Sequence, residues 1–158
     1  MRDSLRTGIT FGLTSAVITT LGLMVGLHSG THSRVVVLGG ILTIAIADAF
    51  SDALGIHVSE EAENVHTVKQ IWAATIATFL AKFFFALTFA VPVLLLPLAT
   101  AIWVSLIWGM SILAVMSYAM AKAQKEAPWK IVGEHILIAL VVIGITHWVG
   151  DWVSTISG

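Results

Sequence analysis

The chain has 158 residues, of which 58% are hydrophobic and 11% charged, with a formal net charge of −1 and a mean hydropathy of +0.96. A soluble domain averages about 25% charged residues and has no means of burying this much apolar surface, so most of it must face lipid. The near-neutral balance without a long basic run argues against nucleic-acid binding, and the lack of cysteine excludes disulfides, thiolate ligands and thiol nucleophiles.

Charges and turn residues divide the sequence into five apolar stretches, at residues 9–27, 35–56, 71–91, 99–120 and 131–156. About 20 helical residues, at about 1.5 Å each, cross a hydrocarbon core of about 30 Å, and every stretch meets that length. Strands are excluded because the runs lack period-two alternation and lipid-exposed backbone must satisfy its own hydrogen bonds. The expected class is therefore an all-α membrane protein, with residues 1–158 forming a single domain of five transmembrane helices.

Positive residues near span ends tend to stay cytoplasmic. With five spans, Arg2, Arg6, Lys69, Lys122, Lys125 and Lys130 fall on one side and only Arg34 on the other, which predicts a cytoplasmic amino terminus and an outside carboxyl terminus. The expected location is a prokaryotic cell membrane. The link from Pro92 to Leu98 holds two prolines and no charge, as a tight turn would. The link over residues 57–70, with His57, Glu60, Glu61, Glu63 and His66, is the one strongly polar connection and is expected on the cytoplasmic side.

An ionisable group at membrane depth costs several kcal/mol, so each one marks a pathway, a site or a paired contact. The second stretch carries Asp48 and Asp52 in D-A-F-S-D, whose i, i+4 spacing puts both carboxylates on one helix face. Two such carboxylates in low dielectric hold a proton or a hard cation between them. Lys82 falls in the middle of the third stretch, where its stem is too short to reach either interface easily, and it is expected to point toward Asp48 or Asp52. His147 and Asp151 form a second i, i+4 pair near the outer end of the fifth stretch, a pairing that suits proton exchange or a transition metal. Glu134 and His135 open the fifth stretch, where Glu134 is placed to share an entry vestibule with Glu60, Glu61 and Glu63. His28 and His32 also stand at i, i+4, but the intervening Ser-Gly-Thr favours a turn. Gly22 and Gly26 give a small-x-x-x-small pattern that suits close helix packing, either with the second span or across a dimer.

In order along the chain, F-G-L-T-S-A-V-I-T-T-L-G-L-M-V-G-L from Phe11 to Leu27 is similar to the first-span motif of the vacuolar iron transporter family. L-G-G-I-L-T-I-A-I-A-D-A-F-S-D-A-L-G-I-H-V-S-E-E-A-E from Leu38 to Glu63 resembles that family's second span, and K-A-Q-K-E-A-P-W-K-I-V-G-E-H-I-L-I-A-L resembles its last loop and fifth span. The chain departs from the pattern at Ser15, where the family has a first-span Asp, and at Ile56, where the family's Gly-Glu step has its Glu. The resemblance implies a five-helix protomer, a homodimer through the first helix, and exchange of ferrous iron or manganese for protons. It gives no prosthetic group; the divalent ion is the cargo.

The leading expectation is a proton-coupled divalent metal transporter rather than an enzyme. In it Asp48 and Asp52 bind the ion, Lys82 balances the empty site, His147 and Asp151 assist proton or charge balance, and Glu60, Glu61, Glu63 and Glu134 collect ions. Two alternatives stand beside it. One is a non-transporting membrane subunit or metal sensor, whose carboxylates would be satisfied internally. The other is a metal-dependent membrane enzyme, since D-A-F-S-D matches the end of a D-x3-D phosphotransferase motif whose upstream elements are absent here.

Overall fold

A computed structural model describes residues 1–156 and is helical throughout, with no strand among the described residues. Five helices are long and apolar enough to cross a membrane: α1 (Arg2–Thr31), α2 (Arg34–Ala62), α3 (Val68–Leu95), α4 (Leu98–Gln124) and α5 (Pro128–Ile156). Each extends beyond the apolar stretch that predicted it, because hydropathy reports only the hydrocarbon-crossing part while capping residues set the ends.

The connections are short and chemically explicit. His32 ends α1 in a left-handed conformation, and Ser33 caps α2 by accepting from the Val36 amide. Asn64, also left-handed, turns the chain after α2, and Thr67 and Gln70 form a capping box at the start of α3. Lys125 closes α4 in the left-handed region, and Pro128 opens α5, where a missing amide costs no helical bond. The polar connection expected over residues 57–70 is thus reduced to residues 63–67, its flanks being helical.

Two helices depart locally from α geometry. Residues 44–48 of α2 form a π turn. A π turn takes up an extra residue, so Val37, Ile41, Ala45, Ala49 and Ala53, advancing in steps of four, stay on the buried side instead of drifting with the 3.6-residue period. In α3 the ladder loosens at Phe89, because Pro92 has no amide for the Thr88 carbonyl and its ring crowds that carbonyl. The expected turn over residues 92–98 accordingly shrinks to Leu96 and Pro97.

Helix α1 is the centre of the bundle and touches the other four, most extensively α3 and α5. Leu21 and Met24 of α1 share one buried cluster with Val37 and Ile41 of α2, Phe89 of α3 and Leu113 of α4. The outward faces carry Phe50, Leu54, Phe84, Trp103, Ile107, Leu137 and Trp148, apolar side chains suited to lipid.

Glycine permits the close approach of α1 to its two main neighbours. A Cβ on Gly12 would lie 2.6 Å from the Thr78 carbonyl oxygen of α3. Gly22 and Gly26 face Val142 and Thr146 of α5. The expectation of a homodimer through the first helix drew its sequence support from these two glycines, and both are used inside the protomer, so they supply no reason for a second copy. Gly12→Ala should lower stability by about 1–3 kcal/mol through overpacking against backbone. Gly55→Ala, with open space around its Cβ, should be neutral or slightly stabilising. Thermal unfolding in detergent checks both, and an unchanged Gly12→Ala midpoint would contradict the packing.

Candidate functional site: a lysine between two carboxylates

Lys82 projects from the middle of α3 and is completely buried. Its Nζ lies 2.5 Å from Oδ2 of Asp48 and 2.5 Å from Oδ2 of Asp52, both on α2. It donates hydrogen bonds to Asp52 and, at 2.9 Å, to the Ser15 hydroxyl of α1. The Asp48 contact falls outside hydrogen-bond geometry, so charge rather than a directed bond holds it. The direction expected for Lys82 is the one it takes.

Local sequence explains the arrangement. The i, i+4 spacing stacks the two carboxylates on one face of α2, from the last residue of the π turn into the helix that follows, and the turn's offset leaves Ala49 and Ala53 to pack inward beside them. Gly8 and Gly12 bring α1 close to α3, which places Ser15 within reach of Lys82. The site is sealed on the lysine side and partly open on the other: the Asp52 side chain retains 19% of its surface and that of Asp48 34%. Thr43, Ala47 and Ser51 of the same helix are exposed.

With all three groups ionised the site carries one negative charge in excess. It is neutral with one further proton. The donor set is entirely oxygen, from two carboxylates and a hydroxyl, which is the chemistry of protons and of hard or borderline divalent cations.

The other predicted ligands are not gathered around it. Glu60 is buried, with Oε2 3.0 Å from His66 Nδ1 and outside hydrogen-bond geometry; Glu63 lies 3.9 Å from the same nitrogen, and Glu61 is exposed. Glu134 is exposed on α5, which packs on α1 and α4, whereas α2 packs on α1 and α3. The shared vestibule of Glu134 with Glu60, Glu61 and Glu63 is therefore not assembled. No set of three or more His, Asp or Glu close enough to hold a metal ion occurs among the described residues. His147 Nε2 and Asp151 Oδ2 stand 3.6 Å apart, both more than half exposed, and Asp151 accepts a hydrogen bond from Ser29 at the end of α1. That bond makes Asp151 a tie between α5 and α1 rather than a free ligand.

Sequence reasoning missed three polar contacts. Ser15 read as a lost carboxylate and is instead a partner of Lys82. His57 Nδ1 bonds Thr75 at 2.9 Å, and His135 Nδ1 bonds Ser117 at 2.7 Å. The signal was the presence of a hydroxyl residue on each helix that packs against a lone histidine, but it is readable only once helix neighbours are known. No family model and no curated protein matches the chain in sequence.

Removing one member of a buried ion group leaves the others uncompensated, at a cost of about 3–5 kcal/mol. Lys82→Met should therefore strongly destabilise the protein in detergent, and adding Asp48→Asn with Asp52→Asn should recover most of the loss. A Lys82→Met protein as stable as the parent would contradict the pairing.

Proposed function

We propose that the chain is a proton-coupled divalent cation transporter in which Lys82 and the cargo ion compete for Asp48 and Asp52. The observation that carries this reading is the seating of Lys82 Nζ 2.5 Å from both carboxylates, where a cation would sit. Ferrous iron or manganese is the cargo that the resemblance to the vacuolar iron transporter family suggests, and the oxygen donor set suits either.

Charge neutrality at membrane depth sets the stoichiometry. The empty site is neutral with Lys82 protonated and one proton on a carboxylate. The loaded site is neutral with a divalent ion, both carboxylates ionised and Lys82 neutral. Two protons thus leave for each ion that enters, and any other count strands charge in low dielectric. Cargo approaches on the open side of α2, past Thr43, Ala47 and Ser51, and Ser15 supplies a third oxygen. With the positive-inside orientation, the amino terminus and the Glu60–His66 end of α2 lie in the cytoplasm. Iron or manganese exchange for protons through this site makes the chain an antiporter.

A second reading, a structural ion group in a non-transporting membrane subunit, is favoured by the complete burial of Lys82. Flux separates the two. In proteoliposomes, Asp52→Asn should abolish manganese-driven proton movement while the protein stays folded, since Lys82 keeps Asp48 and Ser15 as partners. Parent transport should release about two protons per ion and be insensitive to a clamped membrane potential. Native-rate flux in both Asp48→Asn and Asp52→Asn would remove the transporter reading.

A further inference from the structure

A cavity of about 420 Å³ opens at the end of the bundle where α1 begins, between α1, α4 and α5. Its polar wall is formed by Arg6, Thr7, Thr10 and Thr14 of α1, Gln124 of α4 and His135 of α5. It is separate from the Lys82 site, since Thr14 faces this cavity while the neighbouring Ser15 bonds Lys82.

The three threonines differ from most others of this chain, with Thr20, whose buried hydroxyl also has no partner among the described residues, as an exception. Thr19, Thr43, Thr75, Thr78, Thr88 and Thr146 each donate to a carbonyl one turn back, the ordinary way to satisfy a hydroxyl in a membrane helix. Thr7, Thr10 and Thr14 make no side-chain hydrogen bond among the described residues. Three hydroxyls free of internal partners stand on one wall at i, i+3 and i+7, Thr7 exposed and Thr10 and Thr14 half-buried, and so are open to an external polar partner. Arg6 stands at the mouth with no carboxylate within ion-pair distance among the described residues.

His135 adds direction. Ser117 Oγ lies 2.6 Å from the Leu113 carbonyl oxygen and 2.7 Å from His135 Nδ1; with its single proton on the carbonyl, Nδ1 is the donor to Ser117. In the neutral ring Nε2 is then an acceptor, without a partner among the described residues. Arg6 repels a metal cation at this mouth, which argues against a cargo route. The set offers a guanidinium for a phosphate, hydroxyls for phosphate or ester oxygens, and an acceptor for a ligand hydroxyl. From Arg6 to Thr14 it runs about 12 Å along α1, from the interfacial turn into the hydrocarbon zone.

We infer that this cavity binds the headgroup of an anionic phospholipid carrying a free hydroxyl, of the phosphatidylglycerol type, with Arg6 on its phosphate and His135 Nε2 accepting from the headgroup hydroxyl.

The delipidated full chain in detergent, titrated separately with phosphatidylglycerol, phosphatidylcholine and inorganic phosphate and read by native mass spectrometry, tests this. The parent should retain phosphatidylglycerol about tenfold more tightly than phosphatidylcholine, which has the same phosphate but offers His135 no hydroxyl and sets a quaternary ammonium near Arg6. Arg6→Gln, without moving the unfolding midpoint of the lipid-free protein, and His135→Phe should each erase that preference, whereas Thr10→Val should weaken both lipids alike. Arg2→Gln, outside the cavity, should keep it. Equal retention of both lipids, an equal loss in Arg2→Gln, or Arg6-dependent binding of inorganic phosphate without a lipid preference would each overturn the assignment.

Discussion

A full positive charge in the middle of a bilayer is the constraint on which this structure depends. Lys82 stands about 21 Å along α3 from its first residue and is completely buried, so its ammonium group cannot remain hydrated. Two carboxylates from α2 and a hydroxyl from α1 replace the lost water. Three helices are thereby tied at one point, and their relative rotation is fixed there more tightly than lipid-like packing alone would achieve, because apolar side chains meet tails and one another with similar affinity.

The rest of the bundle serves that junction. Helix α1 occupies the centre because its glycines admit α3 on one side and α5 on the other, and the close approach to α3 puts Ser15 beside Lys82. The π turn in α2 is the local irregularity that keeps the buried alanine strip and the two carboxylates together on the inner side of one helix. An excess of one negative charge, left after Lys82 is counted, is what distinguishes this junction from a simple salt bridge. A purely structural pair has no need of the second aspartate; the proposed exchange of protons for a divalent ion does.

Much of the fold was legible because hydropathy over 20 residues reports membrane crossing directly, and the five stretches each became a helix. The direction of Lys82 was legible for a related reason: at membrane depth the cost of an unpaired charge leaves few choices. Helix ends were less so, since Ser33, Asn64 and Thr67 act through backbone geometry that hydropathy does not record. Contacts between helices were hardest. Gly22 and Gly26 announced a close approach without naming the partner, which proved to be α5. Glu134 and Glu60 were joined by their shared membrane side, but they sit on helices that do not pack together. Membrane side is a one-dimensional property, and ligand sets require the other two dimensions.

The most direct measurement is dipolar recoupling by solid-state NMR in lipid bilayers, with carbon-13 in the aspartate carboxyls and nitrogen-15 at the lysine ammonium groups. The account predicts that two aspartate carboxyls dephase strongly from a lysine nitrogen at contact distance, and that both effects vanish in Lys82→Arg, which keeps the charge and loses the label. Carboxyls of Asp48 and Asp52 that show no dephasing from Lys82 would contradict the seated lysine and the exchange site built on it.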